Sequence, residues 1–242
     1  MKIHMILQGK GGCGKSFIST ILAQYIAEKK ELPLCIDTDP VNSTFSGFKK
    51  LKVKQLNLLE ENQINTRNLD TLIEWIATTK NDMVIDNGAA TFVPLAHYLI
   101  ANEVPNLLIS LGHNLIIHSV IAGGQSLIDT INGFSQLAQQ MPLNIPFNLW
   151  LNEYFGKITY QNKTFEEMKA YKENKDRISS IFTLPYVPKE TTGTDIQEML
   201  TRKLTFDESL NDDSFSIMTR QRLKVYKTQI FNQLNLAVGD LL

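Results

Sequence analysis

The octapeptide Gly9-Lys10-Gly11-Gly12-Cys13-Gly14-Lys15-Ser16 constrains this 242-residue chain more than any other stretch. It satisfies G-x-x-x-x-G-K-[ST], a phosphate-cradling pattern that carries meaning only between a strand and a helix. Both flanks are present. Ile3 to Leu7 is a short apolar segment suited to a strand, and from Phe17 to Lys30 apolar residues recur at 17/18, 21/22 and 25/26, which is helical spacing. Glycines let such a loop wrap a polyphosphate with its N–H groups turned inward, and the helix adds the positive end of its dipole. Gly11, Gly12, Cys13, Gly14 and Phe17 then belong to the cradle. Lys15 neutralises β- and γ-phosphate oxygens, and Ser16 offers a hydroxyl to Mg²⁺.

The rest of the chain alternates apolar strand-like runs with helical patterns. Strands are expected at 32–36, near 56–59, and at 82–86, 106–111, 147–151 and 178–184. Helices are expected at 68–79, 93–101, 117–139, 165–174, 195–203 and 218–235. Strand–helix alternation implies right-handed βαβ units, hence an α/β chain with a doubly wound, mostly parallel sheet and helices on both faces. The length suits one domain over 1–242, with a helical tail from about 194. Ligands of such sheets sit at the carboxyl ends of strands. There lie the glycine loop, Asp37 and Asp39, Asp86, Asn152 and Pro185. Asp86 closes an apolar strand, placed to hold Mg²⁺ directly or through water.

Composition narrows the partners. With 24 Lys+Arg against 25 Asp+Glu, the net charge of −1 argues against a globally basic nucleic-acid binder. Local basic faces, Lys49–Lys54 and the run Arg220, Arg222, Lys224, Lys227, leave DNA or an acidic partner open beside plain solvation. Two cysteines, Cys13 and Cys35, build no disulfide framework and suit a reducing, cytoplasmic setting. The most apolar run, 104–117, is interrupted by Pro105, Asn106, Gly112, His113 and Asn114 and is too short to span a bilayer, so no membrane insertion is expected. The four histidines follow no ligand pattern, and Trp75 and Trp150 suit packing.

The run Lys10-Gly11-Gly12-Cys13-Gly14-Lys15-Ser16 resembles the deviant phosphate loop of the ParA/MinD superfamily of ATPases. The resemblance spans roughly residues 1–190. It implies ATP/ADP and Mg²⁺ as ligands and a homodimer formed on ATP binding, in which Lys10 reaches across to the partner's nucleotide. Within Asp37-Thr38-Asp39-Pro40, it gives Asp39 the placing of the attacking water and Asp37 the metal's surroundings. Asn152 and Pro185 match positions where the superfamily contacts adenine. The stretches 7–12, 33–42 and 84–89 further resemble the ATPase-like proteins of plasmid conjugal-transfer systems, which implies a conjugal-transfer or plasmid protein partner. The sequence Asp86-Asn87-Gly88-Ala89 departs from the superfamily's usual forms, as does Val187.

These readings converge on a cytoplasmic, Mg²⁺-dependent ATPase, catalytic through Lys10, Lys15 and Asp39, with Ser16, Asp37 and Asp86 on the metal side. Two alternatives stand beside it. A small-molecule kinase requires an acceptor pocket and an arginine-bearing lid, and no arginine-rich lid is apparent. A nucleotide-gated scaffold that does not hydrolyse leaves Asp39 idle.

Overall fold

The computed structural model describes residues 1–61 and 63–242, the side chain of Asp240 excepted. Its strands are β1 (Lys2–Ile6), β2 (Leu34–Asp37), β3 (Lys54–Gln55), β4 (Leu59–Glu60), β5 (Gln63–Ile64), β6 (Met83–Asp86), β7 (Asn114–Ala122), β8 (Phe147–Asn152), β9 (Thr159–Tyr160), β10 (Lys163–Thr164) and β11 (Ile178–Leu184). Its helices are α1 (Lys15–Lys29), α2 (Leu69–Thr78), α3 (Phe92–Ala101), α4 (Val104–Ser110), α5 (Leu127–Gln140), α6 (Lys169–Asn174), α7 (Thr194–Thr201), α8 (Phe206–Leu210), α9 (Ile217–Leu236) and α10 (Val238–Leu241).

Seven strands form one sheet in the order β11–β8–β7–β1–β6–β2–β3, and every pairing in it is parallel. Two small antiparallel hairpins, β4–β5 and β9–β10, stand outside it. Parallel strands need both faces covered, which is why Met83-Val84-Ile85 and Phe147 to Trp150 are buried throughout. Alternation along β1 sends Ile3 and Met5 into one core layer and Ile6 into the other. The first layer lies under α2 to α6. The second lies under α1 and α7 to α10, so the C-terminal helices share with α1 the cover of one face of the sheet. Each large apolar side chain buried this way contributes about 1.5–3 kcal/mol.

The expected strand and helix order departs furthest from the structure in its middle. Residues 106–111, expected as a strand, form the rest of α4 and its C-cap, Leu111. Residues 117–122, expected to open a long helix, belong to β7. A short apolar run fits a buried helix as well as a strand, and periodicity alone does not separate them. Pro105 settles this one, because it stands in the first turn of α4, where its missing N–H is no loss. Val104, Pro105 and Leu108 then face the core while Leu107 and Ile109 stay exposed. In β7 the polar His118 and Ser119 are fully buried between β1 and β8. Near 56–59 the expected strand is replaced by β3 at the sheet edge and the β4–β5 hairpin. The expected helix 165–174 is a 3₁₀ turn followed by α6, broken at Met168, whose backbone is extended.

Candidate nucleotide site

The carboxyl edge of the sheet gathers the polar residues. β1 leads through Leu7 and Gln8 into the glycine loop, and α1 begins at Lys15. Gly14, at φ 104°, caps α1 in a left-handed conformation; a Cβ there would also stand 2.7 Å from Asn152 Nδ2. That amide donates to Cys13 O at 2.9 Å, while its Oδ1 accepts the Tyr154 N–H. The end of β8 therefore holds the loop from below. Cys13 is buried, with Sγ 3.2 Å from Lys10 O, and burial pushes its thiol pKa up. It adds backbone rather than reactivity.

Lys15 folds across the loop and donates to Lys10 O at 2.8 Å, with 8% of the residue exposed. Lys10 turns the other way. Its Nζ meets Asp129 Oδ2, in the first turn of α5, at 2.8 Å, with the two side chains 39% and 59% exposed. An ion pair that open to solvent is worth about 0–1 kcal/mol, so it is easily exchanged for a better anion.

Asp86 ends β6 beneath α1, 1% exposed. Burial drives its carboxyl pKa up to about 7; the Ser16 hydroxyl pulls it down, Asp37 pushes it up, and Ser19 and Lys15 pull it down. Asp37 ends the neighbouring β2, and burial raises it too. Its two oxygens accept the backbone N–H groups of Asp39 and Ser46, each at 2.9 Å, which fixes the loop that follows. Asp39 caps that loop itself, with Oδ1 accepting from Val41 N at 2.9 Å and Asn42 N at 3.0 Å. Opposite lies Gly88, where a Cβ would sit 2.6 Å from Asp39 Cγ, so the close approach requires glycine. Thr38, Asn87 and Thr91 knit the two loops together below, through Asn87 Oδ1.

A cavity of about 540 Å³ lies over these groups, lined by Gly12, Lys15, Ser16 and Asp39 among others. A second, of about 410 Å³, adjoins it across Gly12, Gly14, Phe17 and Leu200 and is walled by Asn152, Tyr154, Leu184 and Tyr226. The first suits phosphates, being ringed by N–H groups and a lysine; the second suits a flat apolar ring. Phe17, whose ring stacks on Tyr226 at 6.3 Å and 9°, borders both. At the corner where adenine contact was expected from Pro185, the wall is the preceding Leu184.

The donor set fits Mg²⁺. One hydroxyl and two carboxylates are hard oxygen ligands, and Mg²⁺ ordinarily takes one or two carboxylates and completes its shell with phosphates and water. No group of three or more His, Cys, Asp or Glu able to hold a metal occurs among the described residues. Asp129, Ser19 and the aromatic walls of the second cavity are the site residues that the motifs did not single out. Ser19 had a signal in its spacing from Ser16; Asp129, 119 residues from Lys10, had none.

A family model described as the CobQ/CobB/MinD/ParA nucleotide binding domain matches residues 4–218. The chain belongs to that family. Within it, two proteins from Escherichia coli named Protein TraL are similar over almost their whole length. One is 57% identical over 236 residues, 98% of this chain and 98% of its own; the other is 56% identical over 233 residues, 96% and 97%. Among solved structures, the MinC:MinD cell division protein complex of Aquifex aeolicus matches with a TM-score of 0.57 at 15% identity, covering 99% of this chain and 96% of that one. A ParA family ATPase from Chlorobium tepidum matches at 0.51 and 14% identity, covering 93% and 98%. These structures share the fold, a parallel sheet wound on both sides behind a phosphate loop. The basic run of α9 is largely neutralised within the family fold: Arg220 pairs with Asp213, Arg222 with Asp195, and Lys227 with Glu28 and Asp207. No helix among the described residues is long and apolar enough to cross a membrane.

Proposed function

We propose that this chain is a Mg²⁺-dependent ATPase that binds ATP as a monomer, closes into a homodimer around the nucleotides, and hydrolyses slowly in the cytoplasm. Its two nucleotide states recruit or position a partner in plasmid conjugal transfer or maintenance; likeness to the two TraL proteins supports that setting. Residues 1–242 act as one unit, since α7 and α9 wall the base cavity.

The observation that carries this reading is the divergence of two lysines from one loop. Lys15 lies inside the phosphate cradle, and Lys10 is held at the rim on a weak, exposed pair. A cation parked outside its own cleft is available to a second copy's phosphates. Phosphoryl transfer asks for positioning and charge neutralisation more than covalent chemistry. The loop N–H groups and Lys15 bind the β- and γ-phosphates. The second cavity takes adenine against Phe17 and Tyr226, with Asn152 and Leu184 at its edge. Ser16 and Asp86 would hold Mg²⁺, with Asp37 adding negative charge nearby, and the bound ion would supply charge neutralisation. Asp39, with Oδ2 free of its loop-capping bonds, orients the attacking water. Arg202, Arg220 and Arg222 are each paired with carboxylates of the C-terminal region, which gives a kinase lid no support.

The test is light scattering with and without ATP·Mg²⁺. The unsubstituted chain should double in mass with ATP, while Lys10→Ala should bind ATP with unchanged affinity and remain monomeric. A Lys10→Ala protein that still dimerises with ATP sinks the proposal.

A further inference from the structure

Ser19 lies three residues beyond Ser16 on α1, on the same helix face, and it is fully buried. Its Oγ stands 2.9 Å from Asp86 Oδ1 and 3.1 Å from Lys15 O. A hydroxyl has one proton to give, and a carboxylate is the stronger acceptor. The neighbouring hydroxyl of Thr20, equally buried, turns away and donates to Phe17 O at 2.7 Å. So Ser19 joins Ser16 in facing the acid at the end of β6, while Thr20 serves only its own helix.

We infer that Ser19 is a positioning residue for the Mg²⁺ side of the nucleotide site, fixing Asp86 by one oxygen so that the other is presented in a set direction. The inference rests on the nucleotide·Mg²⁺ reading above. Rotation about the last torsion of an aspartate is soft, and a carboxylate without an anchor samples a broad range. Ser16 and Ser19 divide the work between them. Ser16, nearer the phosphate cradle, contributes a metal ligand, and Ser19, one turn deeper, orients the acid without touching metal or nucleotide. Nothing in the phosphate-loop pattern asks for a hydroxyl at this place, since the pattern ends at Ser16.

The experiment follows binding of a fluorescent, non-hydrolysable ATP analogue, first in EDTA and then across a Mg²⁺ titration. Ser19→Ala should leave affinity in EDTA unchanged and raise the Mg²⁺ concentration for half-maximal tightening roughly 10- to 100-fold, the usual loss when a group orienting a metal ligand is removed. Thr20→Val removes the adjacent buried hydroxyl and should keep the unsubstituted Mg²⁺ dependence. Two results overturn the inference: an unchanged Mg²⁺ dependence in Ser19→Ala, or a loss in EDTA as large as the loss in Mg²⁺, which would make Ser19 a support of the loop. An unsubstituted protein that binds no analogue in either condition overturns the nucleotide reading and this inference with it.

Discussion

Two sets of buried polar side chains sit on this sheet, and they differ in access rather than in burial. At the carboxyl edge, Asn152 walls the second cavity, and the equally buried Asp37 and Asp86 lie one hydrogen bond behind Asp39 and Ser16, which line the first. Further along the strands, His4, His118 and Trp150 are just as buried and closed to any cavity described above. Trp150 Nε1 donates to His118 Nδ1 at 3.0 Å, which places the His118 proton on Nε2. That nitrogen lies 2.9 Å from His4 Nδ1, so the chain of bonds runs Trp150 to His118 to His4, and both rings are neutral. The first set adjoins open space through its neighbours, and the second is sealed from it. Burial alone therefore does not distinguish the two; an opening beside the buried group does.

Three experiments press on that contrast. The largest effect belongs to Lys15→Ala, which removes the one cation lying within the cradle. Breaking a buried charge pair costs about 3–5 kcal/mol, so ATP affinity measured by calorimetry should fall roughly 1,000-fold. Retained affinity would place the phosphates elsewhere.

Acid comes next. Burial lowers His4 to about 4 and His118 well below the ordinary histidine value. Below pH ~6.5 the unfolded chain takes up protons that the folded chain refuses. Stability present at neutral pH is thus lost as pH falls, at up to about 1.4 kcal/mol per pH unit for each ring. Asp86 acts in the opposite sense: its raised value means the folded state holds a proton between about pH 4 and 7, which favours folding in acid. The stability of the nucleotide-free protein should therefore fall by roughly 1–2 kcal/mol from pH 7 to pH 5, and more steeply in Asp86→Asn. Equal slopes in the two proteins would mean that Asp86 is not the opposing group.

The smallest effect is expected from Asp129→Asn. Losing an exposed pair should change stability by less than about 1 kcal/mol in urea denaturation. It should also lower the ATP concentration needed for dimerisation, because Lys10 no longer has to leave a partner. A higher requirement would give Asp129 a direct part in the dimer.

Much of this was legible in the residues. The glycine loop between Ile3–Leu7 and Phe17–Lys30 led to β1 and α1. Strands closed by Asp37, Asp86 and Asn152 announced the edge where the cavities lie, because a parallel sheet buried on both faces writes itself as apolar runs with polar ends. The stretch 104–122 was not legible. The helical turn bearing Pro105 reads as a strand by composition. The true strand, β7, carries His118 and Ser119 inside it, where burial depends on neighbours far off in sequence. The same holds for the station of Lys10, since no local pattern points to Asp129.

Gly88 carries a consequence of its own. Asp39 occupies the space a side chain at 88 would need, so the turns after β2 and β6 interlock like teeth of two gears. If one of them were drawn inward, its neighbour would have to move with it. A methyl group at position 88 would wedge the pair apart and uncouple the two turns.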